Sequence, residues 1–166
     1  MRLFTARIVT ATEADVPDIL QLIRDLGEYE KLSHEVVATE DSLRATLFGD
    51  RPAADVLLAY AGAESEVCVG FALFFPNYST FLAKSGIHLE DIYVKPEWRG
   101  KGIGKSLLVR VAQIARDRGC GRLEWEVLDW NQPSIGFYKS LGAVPMDEWT
   151  KYRVTGDVLN RLASTA

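Results

Sequence analysis

The chain has 166 residues, with 19 Lys and Arg against 23 Asp and Glu, a formal net charge of −4. One soluble domain over residues 1–166 suits this length, since domains commonly run about 100–150 residues and bury enough surface to need no metal or disulfide staple. Hydrophobic residues at 48% and charged residues at 25% are ordinary globular values, which excludes disorder, and the acidic balance disfavours nucleic acid, whose binding rests on clustered Lys and Arg.

The start, Met1 to Arg7, lacks the apolar core of a signal peptide, and no apolar run approaches the roughly 20 residues that span a bilayer. The expected setting is the reducing cytoplasm, away from membranes, with Cys68 and Cys120 as free thiols. Ala6 to Val9 predicts a first strand, and Thr12 to Asp15 resembles a capping box opening a helix. In that helix Val16, Ile19, Leu20, Ile23 and Leu26 recur at helical spacing, and Gly27 is placed to end it. A second helix is expected from Glu40 to Phe48, started by Thr39. Val56 to Ala61 and Val67 to Phe75 predict an antiparallel hairpin turning over residues 62–66. Asn77 to Gly86 reads as a surface loop, and Ile87 to Val94 as a strand ending before Pro96. An amphipathic helix then carries Leu107, Leu108, Val111, Ile114 and Ala115, with Gly119 as its stop. Arg122 to Leu128 predicts a strand, and Asn131 is placed to cap a helix ended by Gly142. Trp149 to Val154 predicts the last strand, with a short tail helix beyond. Such alternation gives an α/β or α+β domain.

The most informative segment is Arg99-Gly100-Lys101-Gly102-Ile103-Gly104-Lys105-Ser106, between a predicted strand and a predicted helix. A glycine turn leading into a helix N-terminus exposes unpaired backbone N–H groups and the positive end of the helix dipole, a ready site for phosphate. The P-loop pattern fails because Arg99 stands where it needs glycine. The dinucleotide fingerprint fails because its third glycine would fall at Lys105 or Leu107. Arg-x-x-Gly-x-Gly remains, and it resembles the pyrophosphate loop of the GNAT acetyltransferase superfamily. Gly86 to Gly100 resembles the strand that precedes this loop, and Val127 to Tyr138 resembles the superfamily's second cofactor segment. Leu26-Gly27-Glu28-Tyr29-Glu30-Lys31-Leu32-Ser33 narrows the resemblance to the diamine acetyltransferase branch and its thialysine-acetylating members. It covers roughly residues 5–155.

The resemblance implies the GNAT fold, a mixed and mostly antiparallel twisted sheet with a splayed central strand pair and flanking helices. It implies acetyl-CoA as co-substrate, a small cationic amine as acceptor, no metal, and a homodimer. Glu90 resembles the acid that contacts the amine and accepts its proton, which is needed because an ammonium has no lone pair. Asp91 alternates to the opposite strand face and reads as structural. Tyr138 resembles the general acid for the departing thiolate, since a phenol titrating near pH 10 keeps its proton at neutral pH. The implied cofactor contacts on the strand are Ile92, Tyr93 and Val94, with the Ile92 and Val94 amides as oxyanion donors. In the loop they are Arg99, Gly100, Lys101, Gly102, Ile103, Gly104 and Lys105. Asn131, Gln132, Pro133 and Ser134 form the second contact, and Asn131 is equally suited to capping its helix.

For the amine the resemblance points to Tyr29, Glu30, Glu90, Glu124, Trp125 and Glu126. Alternation sends Glu124 and Glu126 to one face and Trp125 to the other, so these three cannot all line one pocket. Asp147, beside Glu148, stands where the family carries another acidic residue. His88 shares a face with Glu90, and His34 and His88 have no ligand cluster around them that would make a metal site. The reaction expected is direct transfer in a ternary complex. Its rivals are an acetyltransferase acting on a protein amine, a catalytically silent acetyl-CoA sensor, and a P-loop nucleotide binder.

Overall fold

The structure is a computed structural model that describes residues 6–62 and 66–165. Of the expected hairpin turn, Ala63, Glu64 and Ser65 lie outside the described residues. The chain divides into one unit ending at Glu126 and a second beginning at Val127. Among the described residues no helix is long and apolar enough to cross a membrane.

The first unit is built on a sheet of five strands, β1 (Arg7–Thr10), β2 (Asp55–Ala61), β3 (Val67–Ser79), β4 (Lys84–Val94) and β5 (Leu123–Trp125), lying side by side in that order. The first four are antiparallel and β5 runs parallel to β4. Helices α1 (Val16–Tyr29) and α2 (Glu40–Leu47) bury Val16, Ile19, Leu22, Leu26, Leu43 and Leu47 against Val56, Leu58 and Phe71. Each such side chain contributes about 1.5–3 kcal/mol when fully buried. Helix α3 (Ile103–Asp117) follows β4, and Arg118 just past its end sits over the Phe74 ring, whose strand neighbours Leu73 and Phe75 point the other way.

The capping box forms as expected. The Thr12 amide donates to Asp15 Oδ2 at 2.7 Å, the Thr12 hydroxyl donates to the same oxygen at 2.9 Å, and the Tyr60 hydroxyl donates to Oδ1 at 3.0 Å. Burial alone would push the Asp15 carboxyl up, but these three donors hold it below the ordinary carboxylate range. Its contribution is therefore present above the unfolded value of about 3.9 and is lost as pH falls through the lower native value. Asp15→Ala is expected to cost about 1–2 kcal/mol in urea denaturation at pH 7, with the deficit shrinking in acid.

Three elements depart from the expectation. Helix α1 runs through Gly27 to Tyr29, because that glycine serves close packing: a Cβ there would stand 2.6 Å from Val36 Cγ2. The stop comes at Lys31, left-handed at φ 61°, where the Lys31 and Leu32 amides donate to the Glu28 and Gly27 carbonyls. This is a Schellman cap with Lys in place of glycine. Second, residues 77–86 are not a loop, since β3 and β4 pair out to Ser79 and Lys84. Pro76 is tolerated because its partner Ile87 turns its amide away to Arg122, so this pair needs no ladder bond, and β2 ends at Asp55 opposite Phe74. Third, β5 is only Leu123–Trp125, and residues 149–154 form no strand.

The second unit contains α4 (Gln132–Ser140) and α5 (Gly156–Ala163). Asn131 caps α4, accepting from the Ser134 amide at 3.4 Å. Gly142, left-handed at φ 86°, ends it as expected.

Candidate active site

The central strand supplies an open edge. β5 pairs with β4 only from Ile87 to Leu89, so among the described residues of this unit no strand pairs with the far edge of β4 from Glu90 to Val94. The Lys95 amide donates inward to the Val69 carbonyl at 2.8 Å. Strand alternation then turns the Asp91 and Tyr93 amides inward and the Ile92 and Val94 amides toward the open edge. Ile92 and Val94 thus present two amides, two residues apart, along one edge of β4.

The glycine loop follows. Gly100 and Gly102 are both left-handed, at φ 73° and 81°, and a Cβ built on either meets nothing within 4 Å. Conformation rather than crowding therefore requires glycine there. The first i→i−4 bond of α3 is Ser106 to Gly102 at 2.9 Å, which leaves the Ile103, Gly104 and Lys105 amides at the exposed start of a 15-residue helix. Ile103 is itself 2% exposed and anchors that start. Beside it runs a groove of about 490 Å³ lined by Ile8, Gly102, Lys105, Ser106, Val109, Arg110 and Gln113. Sequence reasoning missed Ser106, Arg110 and Gln113, although their spacing of four and three residues places them on one helix face.

Two loop cations hold the loop itself. Arg99 Nε donates to the Val94 carbonyl at 2.8 Å, and its guanidinium stacks over the Tyr29 and Tyr93 rings at 4.4 and 5.4 Å. Lys101 Nζ donates to the Glu97 carbonyl at 3.1 Å and lies 4.4 Å from the Trp98 ring centre. Arg99 thus ties together the end of α1, the end of β4 and the loop. Tyr29 and Tyr93 complete the contact with ring centres 6.4 Å apart, and burial pushes the Tyr93 phenol up.

The acidic residues gather at a bulge that the sequence does not announce. On β3 the neighbours Leu73 and Phe74 face Asp91 and Leu89, so Glu90 is an extra residue in β4. Such a bulge breaks the alternation. Leu89 pairs with Phe74, which faces Arg118 beyond α3; Asp91 pairs with Leu73, and Leu73 and Tyr93 pack with the α1 cluster. Both Glu90 and Asp91 therefore lie on the α1 face, and the reading of Asp91 as a residue of the opposite face is corrected. Glu90 is half exposed, with Oε2 3.4 Å from His88 Nε2. Asp91 is half-buried, and burial, reinforced by the negative charges of Glu90 and Glu30, pushes its carboxyl up to about 7. Glu30, the C-cap of α1, is raised by burial.

The other proposed amine contacts divide. Tyr29 and Glu30 stand at the end of α1 on the side of Asp91. Glu124 is held by neighbours, accepting from Asn77 Nδ2 at 3.1 Å and pairing with Arg122 Nε at 3.0 Å. Trp125 closes β5 opposite Leu89, and Glu126 is exposed just beyond. In the second unit Tyr138 is half-buried on α4, its ring centre 5.4 Å from that of Phe137. Asn131 is 5% exposed, Gln132 and Pro133 are exposed, Ser134 is half-buried, and Asp147 and Glu148 are exposed. Cys68 is buried and its thiol is pushed up to about 11, first by burial, so it is no nucleophile at neutral pH.

A family model for the Acetyltransferase (GNAT) family matches residues 18–143, a span that includes β4, the glycine loop and α4. The chain is 44% identical over 161 residues to a thialysine N-epsilon-acetyltransferase of Bos taurus, covering 92% of this chain and 94% of that one. It is 37% identical to an L-ornithine N5-acetyltransferase of Arabidopsis thaliana, covering 97% and 89%. Among solved structures, an integron cassette protein from the mobile metagenome of V. cholerae superposes with a TM-score of 0.79 at 27% identity, covering 96% of this chain and 98% of that one.

Proposed function

Because the chain belongs to the GNAT acetyltransferase family, we propose that it transfers an acetyl group from acetyl-CoA to the primary amine of a small cationic substrate. The acceptor class is a thialysine- or lysine-like amino acid or a diamine, and the transfer is direct, within a ternary complex. The observation that carries this reading is the open β4 edge running into the left-handed glycine loop and the start of α3. The acceptor class is supported by the thialysine and ornithine acetyltransferases to which the chain is similar.

The residues fit coenzyme A. Its pyrophosphate needs several N–H donors and positive charge without steric obstruction, which the loop glycines, the first turn of α3, Lys105 and Arg110 provide. The Ile92 and Val94 amides receive the acetyl carbonyl and the pantetheine arm, and stabilise the charge that develops on oxygen. Glu30, with Tyr29 beside it, attracts the ammonium. Tyr138 gives its proton to the departing thiolate, and Asn131 with Ser134 supports the cofactor as well as the helix cap. Holding amine and thioester together supplies much of the rate. The family model matches residues of both units, and the resemblance adds a cytoplasmic setting and a homodimer, the latter checked by light scattering at micromolar concentration.

Release of coenzyme A thiol from acetyl-CoA tests the reaction, with thialysine, lysine, ornithine, putrescine, spermidine and a basic peptide offered in turn. Saturable turnover with one small amine supports it, and silence without acetyl-CoA binding overturns it. Arg110→Ala is expected to raise KM for acetyl-CoA about tenfold, as loss of one charge-assisted contact implies, and to leave the amine KM unchanged.

A further inference from the structure

We propose that Arg122 and Glu124, seated by Asn77 on the α1 face of the sheet, form the far end of the acceptor groove. There they bind the α-carboxylate and α-ammonium of an amino acid whose terminal amine is acetylated. The inference rests on the acetyltransferase reading above and deepens it, because it selects a carboxylate-bearing acceptor over a diamine of the same length.

Strand register brings these residues together. Leu73 belongs to the α1 side, so alternation puts Phe75 and Asn77 on that side, opposite His88 and Gly86 of β4. Glu124 stands beside His88 in parallel register, with Arg122 two residues before it on the same face. Asn77 is seated by a missing side chain: a Cβ on Gly86 would stand 2.4 Å from Asn77 Oδ1 and 3.2 Å from Arg122 Cγ. From that seat Asn77 Nδ2 donates to Glu124 Oε2 at 3.1 Å, and Arg122 Nε lies 3.0 Å from the same oxygen. These contacts use one carboxylate oxygen and the guanidinium Nε. Among the described residues nothing else engages Glu124 Oε1 or the terminal nitrogens of Arg122. An acid oxygen beside a guanidinium edge matches the two charges that an amino acid carries at its α-carbon.

The spacing fits such an acceptor. Phe75 and Ala72, the β3 partners of His88 and Ile92, lie three residues apart, about 10 Å along the strand. An acetyl group at the Ile92 amide and an extended lysine-like chain, from terminal nitrogen to α-carbon, together span about 9–10 Å. The α-carbon therefore arrives beside His88 and Glu124. Between the two ends the Phe75 and His88 rings, with centres 5.0 Å apart, give the methylene or thioether chain an apolar floor.

Charge changes sign along this face. Glu30, Glu90 and Asp91 gather toward the transfer end and draw the terminal ammonium. At the other end Lys84 joins Arg122, its Cδ 3.5 Å from where a Gly121 Cβ would stand. A diamine sets its second ammonium beside these two cations, whereas an amino acid brings a carboxylate to them.

The test compares lysine with cadaverine and ornithine with putrescine, pairs that differ only in the carboxylate, by kcat/KM in the coenzyme A release assay. Wild type is expected to prefer each amino acid by about 10–100-fold, as a bidentate charge-assisted contact implies. Arg122→Gln should erase that preference by raising the amino acid KM, with the diamine and acetyl-CoA values held within about twofold. Glu124→Gln should weaken lysine more than 6-aminohexanoate, which keeps the carboxylate and lacks the α-ammonium; an equal loss on both would overturn the part given to Glu124. Wild type that uses the diamines as well as the amino acids, or a preference that survives Arg122→Gln, would overturn the assignment and leave the acetyltransferase reading intact. Silence on every amine would overturn both. Should Arg122→Gln fail to fold, lysine amide decides with wild type: a loss of about tenfold or more against lysine supports the assignment, and equal turnover sinks it.

Discussion

Tyr138→Phe is expected to lower turnover by about 10²–10⁴-fold, the range for loss of a positioned general acid, while acetyl-CoA binding stays within a few-fold of wild type. The separation follows from how α4 is built. Asn131 fixes its start by accepting from the Ser134 amide, and at its end the Gly142 and Ala143 amides donate to the Lys139 and Tyr138 carbonyls. Tyr138 thus sits in a Schellman-capped last turn, with its carbonyl engaged and its ring against Phe137. Phenylalanine keeps that ring contact and backbone bond, so it removes only the hydroxyl. A thiolate leaving without a proton donor raises the barrier to C–S cleavage, which single-turnover kinetics resolves from binding. Unchanged turnover would remove Tyr138 from the mechanism.

Where the sequence spoke through short-range physics, the structure agrees with it. The Thr12–Asp15 box, the Thr39 and Asn131 caps, the apolar face of α3 and the Gly119 and Gly142 stops are each decided within a few residues. The glycine loop was legible for the same reason. The departures all depend on partners distant in sequence. Gly27 looks like a stop until Val36 packs onto it, and Pro76 looks like a strand end until the register shows its missing N–H facing no strand. Above all, the Glu90 bulge is set by pairing with β3. Perfect alternation separates Glu90 from Asp91, and one extra residue unites them. A period-two reading of β4 therefore found the right segment and assigned one of its acids to the wrong face. Arg110 was missed for a milder reason: it belongs to the exposed face of a helix whose apolar face drew the attention.

Asp91→Asn is expected to stabilise the fold at pH 8 and to change it little at pH 4, the opposite of what removing an ordinary paired carboxylate does. The native Asp91 carboxyl lies above its unfolded value, raised by burial first and then by Glu90 and Glu30. Its favourable contribution is thus complete below the unfolded value and erodes as pH climbs to the native one, because the folded state must then hold a half-buried charge. From 3.8 to about 7 the full penalty is at most about 4 kcal/mol, at roughly 1.4 kcal/mol per pH unit. A neutral amide of the same shape escapes it. For a domain of this size each kcal/mol moves Tm by about 2–4 °C, so the gap between variant and wild type should open to several degrees between pH 4 and pH 8 in calorimetry. Glu90→Gln should give a smaller gain of the same sign by relieving one neighbour. A variant less stable than wild type at every pH would mean that the carboxylate is held by favourable contacts, contrary to the environment described. The expected sign follows from the environment: a half-buried carboxyl flanked by Glu90 and Glu30 holds its charge at a cost, so the fold gives up stability as the pH rises past neutrality.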